Sequence, residues 1–471
     1  MTDTSSNQYP ASQLGHLPEA VVKYGLEALT KLIAVPSVAA EGRGIDEACE
    51  LTAALLRELG LHVEIHDSGG APVVFADSHP EGFEGVPTVL FYNHYDVQPA
   101  DPLELWESDP FTLTEKNGIY YGRGAIDDKG ELSLRLAALK WLKDVHGDFP
   151  CRVKFLVEGE EEIGSPHLAS YLEKHLDTYA ADVCVWEFGD VNALGQPQTY
   201  CGLKGILSLD VHVRTARYDL HSSLGAVIDN PIYRLAAALT SLRDNDGQVL
   251  IDGFYDDVKA PNPEEAAILE SLPHSEKELA HMYGVDGYLG NVAGKAFHER
   301  LYYAPVININ GFHSGYGGMG SKTVLPAEAS AKLDIRLVPD QDPDKVLYQL
   351  RGHLHKHGFD DVTITPAQHA EKPARSSSQH PWIQTALSVM SEVYGKEAVV
   401  YPNSPGSGPI HPFIEGLGVP IVGIGCGHPD GKIHSPNENM QFAGYQLGLE
   451  ALARLLERYP AVHQSTHHQT A

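Results

Sequence analysis

The sequence predicts an α/β fold in which a mostly parallel, doubly wound sheet is interrupted by a smaller α+β domain built on an antiparallel sheet. From about residue 18 to 200, short unbroken apolar runs alternate with helical patterns, which is typical of buried parallel strands joined by helices. Near Ile206 this pattern gives way to strict alternation of apolar and polar residues. The first pattern returns near Trp382, so the alternating segment is predicted to be an inserted domain.

The first part of the doubly wound domain is predicted to span residues 1–204. Strands are predicted where apolar residues run without interruption, and a helix is predicted where leucines recur every three or four residues. The strands are Val89–Tyr92, Val153–Val157 and Val183–Trp186, and the helix carries Leu132, Leu136, Leu139 and Leu142.

The inserted domain is predicted to span residues 205–377 and to contain half-exposed antiparallel strands. The alternating apolar positions are Leu207, Leu209, Val211 and Val213 in one strand and Leu333, Ile335 and Leu337 in another. Between them, Asn230 and Pro231 form an N-cap followed by a proline at the first helical position, which predicts a helix. Its apolar face carries Leu235, Leu239 and Leu242.

The doubly wound domain is predicted to resume over residues 378–462. A helix is expected from about Trp382 to Tyr394, a buried strand at Ile421–Ile424 and a last helix from about Tyr445. The tail, residues 463–471, is rich in His, Gln and Thr, and this composition predicts disorder.

Composition restricts the possible partners of the chain. There are 34 Lys and Arg residues against 63 Asp and Glu residues, a formal net charge of −29 over 471 residues. Such a surface would repel nucleic acid and anionic membranes, so neither partner is expected. The first ten residues are polar and no apolar run is long enough to span a membrane, which favours a cytoplasmic location.

The cysteines give no sign of a disulfide framework or a structural zinc site. They are five in number, widely scattered, and without a Cys-x-x-Cys pair. Most are therefore expected to be small buried residues.

Acidic residues and histidines recur at the predicted strand ends. These clusters are Asn93–Asp96, Glu160–Glu162, Glu187, and the loop that holds His428 and His434, with a further acidic pair, Asp127 and Asp128, before a helix. A single acidic residue would be an ordinary surface group, but like charges converging on one crevice require neutralising cations. Histidine with carboxylates and no thiolate favours zinc, manganese or cobalt in a hydrolytic centre.

Two competing motifs are weaker. The metalloprotease signature His-Glu-x-x-His is absent. Residues 315–320 fit Gly-x-Gly-x-x-Gly but lack a surrounding strand and helix, so they indicate a flexible lid loop rather than a dinucleotide site.

From about Leu32 to Arg458 the chain resembles the dinuclear zinc peptidases that include carnosinase-type dipeptidases, aminoacylase, acetylornithine deacetylase and succinyl-diaminopimelate desuccinylase. The resemblance rests on six motifs that together are highly specific. They are His94–Asp96, Gly122–Gly130, Glu161–Ser165, Asp219–Ser222, Ile335–Pro339 and His434–Glu438.

The resemblance implies two divalent metal ions per chain, zinc being expected first and manganese or cobalt being possible. It makes Asp127 the carboxylate that bridges both ions. His94 and Glu187 would complete one metal site, and Glu162 and His434 the other. Asp190 is an alternative to Glu187, and His428 is an alternative to His434. The Ser-x-Asn-Glu sequence that follows His434 favours it over His428.

The resemblance also implies roles for residues that do not bind metal. Asp96 would fix the tautomer of His94, and Glu161 would be the general base. His221 would reach the active site of the partner subunit and stabilise the oxyanion. Arg336 would bind the free carboxylate of the substrate, with an added contact from Ser407. Without the family context, His221 would be a loop histidine, Arg336 a solvated arginine and Ser407 part of a simple turn.

The expected function is hydrolysis of dipeptides or short peptides with a free C-terminal carboxylate. The long segment from about residue 251 to 300 resembles the dipeptidase branch more than the compact deacylases. A deacylase of N-acyl amino acids and a non-catalytic peptide-binding relative are the alternatives. The fold implied is a catalytic domain with an inserted lid and dimerisation domain, through which a homodimer would form.

Overall fold

The structure is a computed structural model that describes residues 12–468. The helices have these bounds: α1 (Glu19–Ile33), α2 (Ile45–Glu58), α3 (Lys129–His146), α4 (Leu168–Glu173), α5 (Leu176–Tyr179), α6 (Pro231–Thr240), α7 (Pro263–Ser271), α8 (Glu276–Tyr283), α9 (Lys295–Tyr303), α10 (Pro343–Lys356), α11 (Pro381–Tyr394) and α12 (Phe442–His468).

The strands form several sheets. In chain order they are β1 (His62–His66), β2 (Val73–Asp77), β3 (Thr88–His94), β4 (Thr114–Lys116), β5 (Ile119–Tyr121), β6 (Arg152–Glu158), β7 (Val183–Trp186), β8 (Asp190–Val191), β9 (Pro197–Tyr200), β10 (Gly202–Arg214), β11 (Leu220–His221), β12 (Val306–Ser314), β13 (Val324–Leu325), β14 (Glu328–Leu337), β15 (Thr363–Glu371), β16 (Ala374–Arg375), β17 (Val399–Tyr401), β18 (Ser404–Ser407), β19 (Ile421–Gly423) and β20 (Asn439–Gln441).

The chain divides into two compact units. The first comprises Met1–Cys201, Ser376–Pro402 and Pro412–Ala471, and the second comprises Gly202–Arg375 and Asn403–His411. The second unit therefore interrupts the first, in agreement with the predicted fold class. It also includes residues 403–411, which the sequence assigned to the doubly wound domain, because β18 pairs in parallel with β10.

The first unit contains a six-stranded sheet in the order β1-β2-β6-β3-β7-β19. Strand β3 pairs in parallel with β6 and β7, and β7 pairs in parallel with β19. The three strands predicted in the first two hundred residues are therefore confirmed. Their apolar side chains are buried because helices such as α3 and α11 pack on the sheet. Strands β1 and β2 add an antiparallel edge that the apolar pattern did not indicate.

The second unit contains a four-stranded antiparallel sheet in the order β12-β14-β10-β15. The predicted alternation is confirmed, since Leu207, Leu209, Leu333 and Ile335 are all buried on one face. Their core also includes side chains of α6 and α10. Alternate residues of β10 and β14, Arg336 among them, project from the opposite face of the sheet.

The ends of two elements follow the local sequence. The Asn230 side chain accepts a hydrogen bond from the Ile232 amide at 2.8 Å, so α6 begins where the N-cap signal predicts. Helix α12 continues to His468, which differs from the disorder predicted for residues 463–471. Val462 is buried against the core and His463 lies 3.6 Å from Asp182, so these contacts support the last turns. Residues 469–471 lie outside the described part of the chain.

Three smaller features complete the comparison with the sequence. All five cysteines are buried and free, as expected. The glycine-rich segment 315–320 lies in the loop between β12 and β13, without a following helix. Within residues 12–468, none of the helices combines the length and the apolar character needed to cross a membrane.

Candidate metal centre

The parallel strands bring the predicted ligands to one edge of the large sheet. His94 is the last residue of β3, Glu161 and Glu162 follow β6, and Glu187 follows β7 directly. Since β3, β6 and β7 are adjacent and parallel, their carboxyl ends lie side by side. Asp127 comes from the loop before α3, and His434 from the loop after β19.

Asp127 lies between the two histidines. Its Oδ1 is 3.1 Å from Nε2 of His94, and its Oδ2 is 2.9 Å from Nε2 of His434. Nε2 of His434 is also 3.0 Å from Oε2 of Glu162. Ligand atoms of His94, Asp127 and Glu162 all lie within 4.8 Å of one another, a spacing that could hold a metal ion. The two oxygens of one carboxylate thus face two different imidazoles.

The pKa values of His94, His434 and Asp127 depend on one another. Burial opposes a charged imidazole at His94, but hydrogen bonds with Asp127 and Asp96 outweigh it and hold the pKa of His94 well above its ordinary value. For His434, the Asp127 and Glu162 carboxylates likewise outweigh burial and raise its pKa to about 10. The two histidines in turn lower the pKa of Asp127 despite its burial. The carboxylates around both imidazoles therefore favour a positive charge at this position.

Glu161 and Glu187 add negative charge to the same site. Burial, and then repulsion by Glu187, raise the pKa of Glu161 well above its ordinary value. Burial likewise raises the pKa of Glu187, whose Oε2 has no hydrogen-bond partner among residues 12–468. Crowded buried carboxylates with an unpartnered oxygen, beside two imidazoles and no thiolate, are the donor set that a divalent metal ion would satisfy. The residues present therefore fit the metal that the sequence implies.

The two alternative ligands have different surroundings. Burial raises the pKa of Asp190 to about 7, and its hydrogen-bonding partner is Gln198 of β9 rather than a member of the site. Nε2 of His428 lies 3.2 Å from the Asn439 carbonyl oxygen, toward β20. Neither side chain contacts Asp127 in the described part of the chain. His434 contacts Asp127 and Glu162, and Glu187 interacts electrostatically with His94 and Asp127.

Asp96 lies behind His94. Its Oδ1 is 3.3 Å from Nδ1 of His94, and its backbone carbonyl oxygen is 3.1 Å from the same nitrogen. The Glu162 amide donates to Oδ2 of Asp96 at 3.0 Å. A proton on Nδ1 of His94 would leave Nε2 free to bind a metal, which is the arrangement expected from the sequence.

Three further residues shape the site without having been assigned a role from sequence. Glu438 is fully buried and accepts hydrogen bonds from the backbone amides of Gly124, Ile126 and Asp127 and from Arg123. Asp128 accepts from the His94 amide at 3.0 Å, and Gln98 donates to Oε2 of Glu162 at 3.0 Å. Glu438 and Asp128 lie in recognised motifs, but only the folded contacts distinguish them from neighbouring acidic residues.

The remaining candidate residues belong to the second unit. The Arg336 guanidinium is 3.2 Å from Oδ1 of Asp334 and donates to Oγ of Ser407 at 2.8 Å. Arg336 and Ser407 are therefore in contact, as expected of residues that share one function. His221 is exposed at the end of β11, and its Nδ1 lies 2.9 Å from Oγ of Ser223.

The site and the sheet together are typical of one class of protein, the metal-dependent hydrolases whose histidine and carboxylate ligands lie at the carboxyl ends of a mostly parallel sheet. Comparison with known proteins then identifies the family. The profile of peptidase family M20/M25/M40 matches residues 90–458, and the chain belongs to this family. The predicted resemblance and the predicted enzyme class, a metallopeptidase, are confirmed.

Individual relatives support the same conclusion. The chain is 32% identical to Beta-Ala-His dipeptidase of Rattus norvegicus over 64% of each sequence, so the match spans just under two thirds of that relative. It is 28% identical to a Cys-Gly metallodipeptidase of Schizosaccharomyces pombe over 95% of this chain and 99% of the relative. Among solved structures, an M20 family metallo-carboxypeptidase from Sulfolobus solfataricus is 38% identical, with a TM-score of 0.87, over 93% of this chain and 99% of the other. These similarities confirm the predicted position nearest to the dipeptidase branch.

Proposed function

We propose that this chain hydrolyses the peptide bond of dipeptides or short peptides with a free C-terminal carboxylate, using two divalent metal ions and Glu161 as general base. The observation that carries the proposal is the position of Asp127, whose oxygens face His94 and His434 separately. A carboxylate that bridges two ions needs this arrangement. The relatives named as dipeptidases and as a metallo-carboxypeptidase support the substrate class, because both kinds of enzyme cleave the bond to a C-terminal residue whose carboxylate is free in the substrate.

The proposed ligands divide into two sets that share Asp127. His94 and Glu187 would complete one metal site, and Glu162 and His434 the other. Such ions would supply Lewis-acid chemistry, lowering the pKa of a water molecule and polarising the scissile carbonyl. Zinc is the ion proposed first, with manganese or cobalt as alternatives, because imidazole and carboxylate ligands suit all three.

Glu161 would transfer the proton that the reaction must move. One of its carboxylate oxygens accepts a proton as water attacks the carbonyl carbon, and the acid then delivers it to the amine nitrogen as the C–N bond breaks. Asp96 would keep the proton of His94 on Nδ1 throughout.

The second unit would supply substrate recognition. Arg336 would bind the C-terminal carboxylate, since a planar guanidinium can donate two parallel hydrogen bonds to it. Ser407 would orient that guanidinium through their 2.8 Å hydrogen bond. His221 would stabilise the oxyanion in the active site of a partner subunit, which makes a homodimer the proposed functional form.

A substrate panel tests the proposal. Enzyme reconstituted with zinc should hydrolyse dipeptides, and elemental analysis should find two ions per chain. C-terminal amidation of a good dipeptide should lower kcat/KM about 10- to 100-fold, since Arg336 loses a charged partner. Hydrolysis of N-acetyl amino acids without hydrolysis of dipeptides would assign the chain to the deacylases. Equal rates on free and amidated dipeptides would contradict the role of Arg336.

A further inference from the structure

The second unit contains a large cavity with mainly apolar walls. Its volume is about 970 Å³, which is ample for an aromatic side chain. The walls come from the segments before α7 and before α9, from α9 itself and from the start of β12. Representative apolar residues are Val258, Val292, Phe297, Tyr303 and Val306.

Four basic residues line this cavity, and two of them, Lys204 and Arg336, lie close together. They lie on neighbouring strands, with Lys204 on β10 two residues before Ile206, which pairs with Arg336 on β14. Ser407 connects them further, because it pairs with Lys204 in the register of β10 and β18 and accepts a hydrogen bond from Arg336. Val306 of β12 pairs directly with Arg336 on its other side. The apolar wall therefore begins beside the guanidinium.

Lys204 is a buried cation without an acidic partner. It is only 3% exposed, and Nζ donates one hydrogen bond, to the Ala304 carbonyl oxygen at 2.7 Å. Among the described residues, no carboxylate lies within ion-pair distance of Nζ. Burial, and then repulsion by Arg336, lower the pKa of Lys204 to about 8. An anion bound between the two side chains would relieve both costs.

The other basic residues of the cavity wall already have partners. Lys259 lies 2.9 Å from Oδ1 of Asp340, and Arg300 donates to the backbone carbonyl oxygens of Leu289 and Asp246. Lys204 is therefore the lysine of this wall that lacks a carboxylate partner among residues 12–468. Its position beside Arg336 selects a carboxylate whose attached side chain is apolar.

We propose that the cavity receives the side chain of the substrate's C-terminal residue, and that Lys204 joins Arg336 in binding its carboxylate. The preferred substrates are then peptides that end in a large apolar residue such as phenylalanine or leucine. This inference rests on the proposed function, because it assumes that Arg336 binds the C-terminal carboxylate. The side chain of that residue is attached to the Cα atom that also carries the carboxylate. With the carboxylate bound at Arg336, the side chain would therefore enter the cavity beside Val306.

Substrate preference tests the cavity. The zinc-reconstituted enzyme should show kcat/KM at least tenfold higher for Ala-Phe than for Ala-Gly. The reason is that burial of the apolar phenylalanine side chain contributes favourable binding free energy, which glycine lacks. Val306→Trp should reduce this ratio at least tenfold by filling the cavity next to Arg336. Ile309→Trp is the matched control, since Ile309 is on the same strand, is 50% exposed and is not part of the cavity wall. Its ratio should equal that of the wild type.

The outcomes separate the two proposals. Hydrolysis of both dipeptides at equal kcat/KM, or an unchanged ratio in Val306→Trp, would overturn the cavity assignment and leave the proposed function intact. Hydrolysis of neither dipeptide would overturn the proposed function itself. Direct binding gives a readout that does not need turnover, since the metal-loaded enzyme should bind L-phenylalanine at least tenfold more tightly than glycine in calorimetry. Equal binding of the two amino acids would also contradict the cavity assignment.

Lys204→Met tests the carboxylate contact, because methionine keeps the apolar stem and removes the charge. We expect KM for Ala-Phe to rise at least tenfold with little change in kcat, and the preference for free over amidated dipeptide to fall. Lys204→Arg should restore most of the preference. Equal losses of kcat/KM on free and amidated substrates, with a lower Tm, would instead assign Lys204 a structural role through Ala304.

Discussion

Asp127 would serve both halves of the proposed metal centre, because its two oxygens face different imidazoles. Replacing it would unpair both ions, so Asp127→Ala should lose both metal ions and all measurable turnover. Elemental analysis after dialysis and a dipeptide assay measure the two losses. Asp144→Ala is the control, since Asp144 is an exposed residue of α3 and should retain two ions. An Asp127→Ala protein that keeps both ions would place the bridge on another residue.

Glu161 differs from its neighbour Glu162 in what its removal should do. We expect Glu161→Gln to retain the metals and to lose about 100- to 10,000-fold in kcat, the loss usual for a general base. Glu162→Gln should instead weaken metal binding, because Glu162 is proposed as a ligand. Metal content and kcat measured on both variants distinguish the two roles. Near-normal kcat in Glu161→Gln would refute the assignment of the base.

Glu438 shows how a residue can act on the site without entering it. Three backbone amides around Asp127 and the Arg123 guanidinium all donate to this buried carboxylate. Glu438→Gln places an amide donor against these donors, so the loop that carries Asp127 should lose its fixed position. We expect metal affinity to fall about 10- to 100-fold, as for other groups that orient a metal ligand. Competition with a chelator measures this change, and Glu415→Gln, at an exposed position, is the control.

At the scale of elements, the part of the site that the sequence could predict lies at the carboxyl ends of the strands. Glu187 directly follows a buried apolar run, and His94 and Glu162 lie a few residues beyond two others, so adjacent parallel strands bring the three residues to one edge of the sheet. The family motifs then supplied Asp127 and His434, which lie on loops. The site therefore followed from local patterns combined with recognised motifs.

Other features depended on contacts between distant segments, and no local pattern carries them. Strand β18 joins the second unit because Ser404 pairs with Leu203, about two hundred residues away in sequence. Strand β2 is buried throughout like the parallel strands, yet it pairs in antiparallel orientation with β1 and β6. In the sequence, Lys204 is an ordinary polar residue just before the alternating apolar positions. Only the structure shows that its ammonium group is buried beside Arg336. Such pairings are determined by tertiary packing.

The N-cap of α6 gives a test of one element. The Asn230 side chain satisfies the Ile232 amide, which would otherwise lack a partner at the start of the helix. Asn230→Ala should lower the free energy of unfolding of this helix by about 1 kcal/mol, seen as faster amide hydrogen exchange across α6. Asn230→Asp keeps an acceptor oxygen and should exchange like the wild type. Unchanged exchange in Asn230→Ala would show that packing alone fixes the helix start.

At the scale of the whole molecule, the two units divide the proposed tasks. The first unit carries the proposed metal ligands and Glu161, whereas Arg336, Ser407 and His221 belong to the second. Chemistry and recognition thus lie on separate parts of the chain, and the inserted unit can change its cavity without disturbing the metal centre. This separation is consistent with a family whose members share a peptidase scaffold and carry the names of different peptidases.

Assembly provides the last prediction. If His221 serves the active site of a partner subunit, the active form is a homodimer in which each site needs both chains. His221→Ala and Glu161→Gln should each be inactive alone, but mixing equal amounts with subunit exchange should restore about a quarter of wild-type activity. This fraction follows from symmetry, because about half of the dimers are mixed and each mixed dimer holds one complete site out of two. Activity and light scattering of the mixture measure recovery and assembly together. Proven mixed dimers without recovered activity would show that His221 acts within its own chain or has no catalytic role.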